Sequence, residues 1–160
     1  MSAETITTAI FLITAVVATA VLVNAIYPVI YSTAGTFQSS THDADTRLRT
    51  DFKIVATFAH PDPTNTVDIY MKNIGSQRIS TAEIENANVF CGKTVGNLLT
   101  YGIWTYEIVP PSAAADNYWD TGETLHITAT TSIDAGKTVY FQFVLPNGIW
   151  RSQEFNAELS

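Results

Sequence analysis

Ala9 to Tyr31 reads AIFLITAVVATAVLVNAIYPVIY, 23 residues without a charged side chain. As an α-helix rising about 1.5 Å per residue it reaches roughly 35 Å, against a hydrocarbon core of about 30 Å. It is long enough to cross a bilayer or to line the core of a filament. Thr14 and Thr19 can return their hydroxyls to the backbone carbonyl one turn earlier. Asn24 is then the one side chain in the run that hydrocarbon penalises noticeably, so Asn24 and Pro28 are expected near the outer end or against a neighbouring helix. A cleaved secretory signal fits poorly: no Lys or Arg precedes the run, which exceeds the usual span of about 7 to 15 apolar residues, and Ala25 to Tyr31 offers no persuasive cleavage site. The small residues Ala9, Ala15, Ala18, Ala20 and Ala25 would let helices approach closely.

Outward from this run the composition changes abruptly. Up to residue 41 the only Asp, Glu, Lys, Arg or His is Glu4, whereas Lys and Arg begin at Arg47 and the other acids at Asp43. The 160 residues therefore divide into a hydrophobic helix with a helical stalk or linker, residues 1–50, and one modest domain, residues 51–160. Between them STAGTFQSSTHDADTRLR lacks Pro, and Ala34, Phe37, Ala44 and Leu48 suit a continuing helix seam. Gly35 and the Ser and Thr residues suit a linker equally. Arg47 and Arg49 are balanced by Asp43 and Asp45, so charge barely encodes the orientation in a membrane.

From Asp51 the period shortens to two. Phe52, Ile54, Ala56 and Phe58 are expected on one face of a strand, and Val67, Ile69 and Met71 repeat the alternation. Further strands are expected at 79–84, 88–91, 103–109, 124–130, 139–145 and 149–155, separated by Gly, Pro and Asn turns. The clearest hairpin is Pro146-Asn147-Gly148, between Val139, Phe141, Phe143 and Leu145 on one side and Ile149 on the other. Seven or eight short strands point to an antiparallel sandwich or a partly closed barrel with Greek-key links. Trp104, Tyr106, Phe141 and Phe143 are the expected core; Tyr101, Tyr118 and Trp119, beside Gly, Asp and Asn, read as loop or contact residues.

The chemistry the chain lacks is equally informative. Eight Lys and Arg stand against 15 Asp and Glu, and residues 51–160 alone carry 12 acids and six bases, or −6. That argues against nucleic acid as a partner. His42, His60 and His126 are far apart in sequence and sit in no metal-ligand spacing, and Cys91 has no partner for a disulfide within the chain. No phosphate loop, serine elbow or Cys-x-x-Cys is present. Glu83 and Glu85, two apart on an expected strand, read as an edge strand's solvent face. The order of Asp116, Asp120 and Glu123 fits no standard calcium loop. We expect no catalytic residue, metal or cofactor, and Asn-x-Ser/Thr acceptor sites are absent.

The run Glu4-Thr5-Ile6-Thr7-Thr8-Ala9-Ile10-Phe11-Leu12-Ile13 leads into the helix. After it come Ile69-Tyr70-Met71-Lys72-Asn73-Ile74-Gly75-Ser76, Glu85-Asn86-Ala87-Asn88-Val89-Phe90, Tyr101-Gly102-Ile103-Trp104-Thr105-Tyr106 and Leu145-Pro146-Asn147-Gly148. In this order the segments resemble the archaeal flagellin superfamily, and within it the accessory FlaG and FlaF proteins more than the main filament subunit. The resemblance covers most of the chain. It implies a long N-terminal hydrophobic helix followed by an all-β immunoglobulin-like antiparallel sandwich, acting as a structural, non-enzymatic subunit of the archaeal flagellum, or archaellum. It also implies self-association into an oligomer or filament, other archaellum subunits, the membrane and the surface layer as partners, and a C-terminal domain outside the cell. The family's filament subunits are made with a short basic leader. This sequence starts at Met1 without one, and the expectation that follows is a membrane-anchored accessory or stator component. The filament subunit and an unrelated anchored binding module are the alternatives. Assembly is expected to run through Glu4, Ile10, Leu12, Ala15, Ala18, Leu22 and Asn24. By likeness to the early glutamate of pilin-like subunits, Glu4 would pair with a neighbouring amino terminus; the plainer reading makes it the polar end of the helix.

Overall fold

A computed structural model describes residues 2–61, 64–93, 97–100, 102–109 and 116–157. The chain falls into two compact units, Met1–Asp43 and Ala44–Ser160. One helix, α1, runs Ser2–Arg49, so residues 32–49 continue the helix. Along it Thr14 and Thr19 donate their hydroxyls to the carbonyls of Ile10 and Ala15, each at 2.8 Å, and Thr36 and Thr41 repeat the bond to Ser32 and Phe37. A polar group satisfied by its own backbone costs little in an apolar setting, and these bonds keep the threonines compatible with hydrocarbon. Pro28 lies inside the helix and withholds one amide proton. Gly35 does not break the helix either.

The second unit holds ten short strands and one short helix among its described residues. In order they are β1 (Phe52–His60), β2 (Thr66–Asn73), β3 (Ile79–Ser80), α2 (Thr81–Glu85), β4 (Asn88–Gly92), β5 (Leu98–Leu99), β6 (Trp104–Val109), β7 (Tyr118–Trp119), β8 (Thr124–Thr130), β9 (Thr138–Val144) and β10 (Trp150–Asn156). They form two four-stranded sheets, ordered β1-β2-β8-β6 and β10-β9-β4-β5, and a two-stranded ribbon β3-β7. Every pairing is antiparallel. The inward residues of both large sheets meet in one core built around Trp104, Phe141, Phe143, Ile69, Met71, Leu125 and Ile127, each fully buried. Phe143 stands edge-on to Phe52 at 5.6 Å and to Trp104 at 6.4 Å, the geometry the ring quadrupole favours. Tyr106 is only partly buried at the margin of this core.

Several local expectations are corrected. The register of β1 slips between Ile54 and Ala56, leaving Val55 as a bulge. A bulge reverses the side-chain alternation beyond it. Phe52 and Ile54 therefore face the core, while Phe58 opposes Asp68 on the outer face and is 52% exposed. Residues 79–84 are not one strand. Ser80-Thr81-Ala82-Glu83 is a capping box: the Glu83 N–H donates to Ser80 Oγ at 3.3 Å and Glu83 Oε2 accepts from the Ser80 N–H at 2.9 Å. Glu83 thus serves a helix end, and Glu85 accepts the Tyr106 hydroxyl at 3.1 Å. In the last hairpin only Gly148 takes a positive φ, +83°, because Asn147 uses its side-chain oxygen to accept the Ile149 N–H at 3.0 Å.

The end of α1 belongs to the second unit. The Arg49 carbonyl accepts from the amides of Ser76 and Gln77 at 2.9 and 3.0 Å, and that of Asp51 from Ile74 and Gly75 at 3.0 and 2.8 Å. A Cβ on Gly75 would collide with the Arg49 carbonyl and the Asp51 amide, so the close approach requires glycine. Asn73, fully buried, ties the same corner: its Nδ2 donates to the carbonyls of Gln77 and Trp119, each at 3.0 Å, and its Oδ1 accepts from the Gly75 amide at 3.0 Å.

Cys91 is buried on β4, and burial pushes its thiol up to about 12 because the thiolate would lose its hydration. The folded value lies above the unfolded one, so the associated stability is complete below the unfolded value and is lost as pH rises toward 12. Between those limits the loss is about 1.4 kcal/mol per pH unit. Urea unfolding at pH 8 and pH 10.5 should show this alkaline loss in the native chain and a flatter profile in Cys91→Ala. Ellman's reagent should leave the native thiol untouched.

Candidate functional site

Every described side chain from Ala3 to Asp45 is exposed. Phe11 is 72% exposed, Val16 69% and Ile13 65%, and the helix has an apolar window with mean hydropathy 2.5, long enough to cross a membrane. Soluble monomers rarely display more than a few hundred Å² of contiguous apolar surface. A helix apolar on all sides is stable only when lipid or other helices surround it. Ile10, Leu12, Ala15, Ala18, Leu22 and Asn24 all lie on this surface. Leu12, Ala15, Val16, Thr19, Val23 and Asn24 line one shallow groove at helical spacing. Glu4 occupies the first turn, where a carboxylate complements the amino-terminal end of the helix dipole.

In the second unit the expected contact residues separate. Tyr101 lies outside the described residues. Trp119 is fully buried, against the reading that made it a loop contact: its ring packs 5.9 Å from Phe52, and its Nε1 donates to the Glu123 carbonyl at 2.9 Å. Tyr118 stays exposed, with the Arg78 guanidinium 4.0 Å above its ring. Arg78 also gathers the loop acids. Its Nη2 donates to Asp116 at 2.6 Å and its Nε to Asp120 at 3.0 Å, and the Asp120 bond foremost holds the guanidinium charged, raising its pKa. Glu123 turns inward to accept the Asp120 amide at 2.9 Å. These carboxylates are committed to a cross-loop clamp.

Two histidines distant in sequence meet in space. His126 Nε2 lies 2.8 Å from Asp68 Oδ1 and His60 Nε2 lies 3.4 Å from Asp68 Oδ2, while the Thr128 hydroxyl donates to Oδ1 at 2.8 Å. Tyr70 stacks on His126 at 4.3 Å. Each imidazole addresses a different oxygen, so the group staples β1, β2 and β8 together through one carboxylate. Among the described residues no group of three or more His, Cys, Asp and Glu is placed to hold a metal ion.

The two sheets also differ on their outer faces. The outer rows of β1-β2-β8-β6 carry Lys53, Lys72, Asp68, Glu107, His60 and His126. Those of β10-β9-β4-β5 carry Trp150, Val144, Phe90, Gln142, Leu98 and Tyr140, with Trp150 and Leu98 each 52% exposed. Sequence reading missed this second surface. The alternation of β9 held the signal, since Tyr140, Gln142 and Val144 interleave with the core residues Val139, Phe141 and Phe143.

A long apolar helix followed by antiparallel sheets, whose polar clusters serve to hold strands and loops together, defines a structural subunit. The archaeal-type flagellin family model matches residues 2–155, and the chain belongs to this family. An uncharacterized protein of Archaeoglobus fulgidus is 28% identical, over 98% of this chain and 99% of the relative. The solved archaeal flagellum of Methanospirillum hungatei strain JF1 shares the fold with a TM-score of 0.71 at 15% identity, covering 96% of this chain and 93% of that one. The archaellum periplasmic stator protein complex FlaF and FlaG from Sulfolobus acidocaldarius gives a TM-score of 0.50 at 22% identity, covering 65% of this chain and 87% of that one.

Proposed function

We propose that the chain is a membrane-anchored accessory subunit of the archaellum, of the stator kind, that assembles through its N-terminal helix and places an immunoglobulin-like β-sandwich outside the cell. The observation that carries this reading is the exposed apolar surface of α1, in a chain whose family match runs from residue 2 to residue 155. Its mechanism is mechanical. Residues 1–50 serve for anchoring and assembly, through Glu4, Ile10, Leu12, Ala15, Ala18, Leu22 and Asn24, and residues 51–160 serve for contact with other archaellum subunits and the surface layer. Tyr118, exposed beneath Arg78, is one such contact candidate.

A filament subunit is the second reading, favoured by the likeness to the archaeal flagellum over 96% of the chain. Electron microscopy of the purified full-length chain separates the two. Short oligomers or envelope-bound particles are expected, whereas long homopolymers matching native filaments would overturn the accessory role. Glu4→Gln should impair assembly and assembly-dependent swimming while leaving the near-ultraviolet circular dichroism of the β-unit unchanged. Wild-type assembly in that variant would remove Glu4 from the account.

A further inference from the structure

We infer that the outer face of the sheet β10-β9-β4-β5 is a docking surface for the same face of a second copy of this chain. The register fixes which residues share it. Val144 lies beside Trp150 on β10, Gln142 beside Phe90 on β4, and Phe90 beside Leu98 on β5. Among the described residues of these strands Glu154, opposite Tyr140, is the one charge on the face. Tyr140 donates its hydroxyl to Gln142 Oε1 at 2.8 Å, which pairs the phenol with the amide oxygen within the sheet and leaves a surface of rings, aliphatic groups and amides.

Charge and area identify the occupant. The chain carries a net charge of −7, so two copies repel wherever acidic surfaces meet, and a basic partner would be drawn to those acids rather than to a face almost without charge. A neutral face is where two such copies can approach. Strands about 4.8 Å apart, with β9 and β10 seven residues long, β4 five and β5 two, give at about 3.4 Å per residue a contact of roughly 350 Å² per partner. That is under half of the ~800 Å² per partner of a stable, freely formed complex. A contact this small is populated when something else holds the partners together, since tethering supplies millimolar effective concentrations. Copies joined through α1 meet that condition. This last step rests on the helix-driven assembly proposed above, whereas the identity of the face does not.

The full-length chain in lipid vesicles tests the inference with single cysteines and a short bismaleimide, the native Cys91 being buried. Gln142→Cys and Ser152→Cys report the proposed face, Thr128→Cys the outer face of the other sheet, and Ser39→Cys the helix. Cross-linked dimer is expected from the Gln142 and Ser152 positions at about tenfold the yield from Thr128, which shares the tethering and reports only random encounters of the tethered units. Adding Trp150→Arg should abolish the Gln142 dimer, leave the Ser39 cross-link intact and preserve near-ultraviolet circular dichroism. Cross-linking at Ser39 alone overturns the face and spares helix assembly; cross-linking at neither overturns both. Trp104 and Trp119 are fully buried, so fluorescence quenching by brominated lipid would report on Trp150 and name the membrane as occupant instead, which also overturns the inference.

Discussion

Trp119→Ala should destabilise the β-unit by about 3–5 kcal/mol, the range for removing a fully buried large aromatic side chain. Its ring packs against Phe52, which in turn meets Phe143, so the cavity would open between the ribbon β3-β7 and the main core. Two hydrogen-bonding arrangements are affected as well. The Glu123 carbonyl loses the indole N–H, and the Trp119 carbonyl, which accepts from buried Asn73, is free to shift once the ring no longer fixes β7. Asn73 also bonds Gln77 and Gly75, beside the carbonyls of Arg49 and Asp51. Damage at Trp119 should therefore loosen the seat of the end of α1 as well as the core. Chemical unfolding of the full chain in mild detergent, followed by near-ultraviolet circular dichroism, measures the loss. Tyr118→Ala is the control, because an exposed ring one residue away should cost under about 1 kcal/mol. Equal losses in the two variants would contradict the burial that separates them.

The same pair of residues shows where sequence reading stopped. Alternation exposes a strand when it lasts four residues or more, and β2, β8 and β9 were legible because Val67, Ile69 and Met71, or Val139, Phe141 and Phe143, repeat at intervals of two. Strand β7 is two residues long and has no period to read, so Gly, Asp and Asn neighbours made Trp119 look like loop. Phe58 failed for a different reason. Its spacing from Phe52 and Ile54 is regular, but the bulge at Val55 inverts the faces, and a bulge leaves no mark in the hydrophobic pattern. The capping box at Ser80 was present in the sequence as Ser-x-x-Glu, but the stretch was read as a strand over 79–84 and the cap was passed over. His60 and His126 were unreadable in principle, because only the pairings of β1 with β2 and of β2 with β8 bring them to Asp68.

The helix was the most legible element, since length and apolarity depend on no partner, and it bears the second large prediction. Ala18→Asp places a carboxylate near the middle of the run from Ala9 to Tyr31, where a charged residue costs about 2.5–3.5 kcal/mol of membrane insertion. By the usual conversion this is a loss of roughly 100-fold in the inserted population. The penalty has the same sign if neighbouring helices rather than lipid surround Ala18, because a close-packed bundle offers an unpaired carboxylate neither water nor a hydrogen-bond donor. Either environment therefore predicts lost assembly. Ser39→Asp is the matched control, lying on the same helix in its polar part, where a charge remains hydrated. Flotation of the full chain with vesicles should show Ala18→Asp left in the soluble or aggregated fraction and Ser39→Asp floating like the native chain. Near-ultraviolet circular dichroism of the β-unit should be unchanged in both, since residues 18 and 39 belong to the unit that ends at Asp43. If Ala18→Asp floated and assembled normally, the apolar surface of α1 would not be the anchoring element, and the proposed function would lose the observation that carries it.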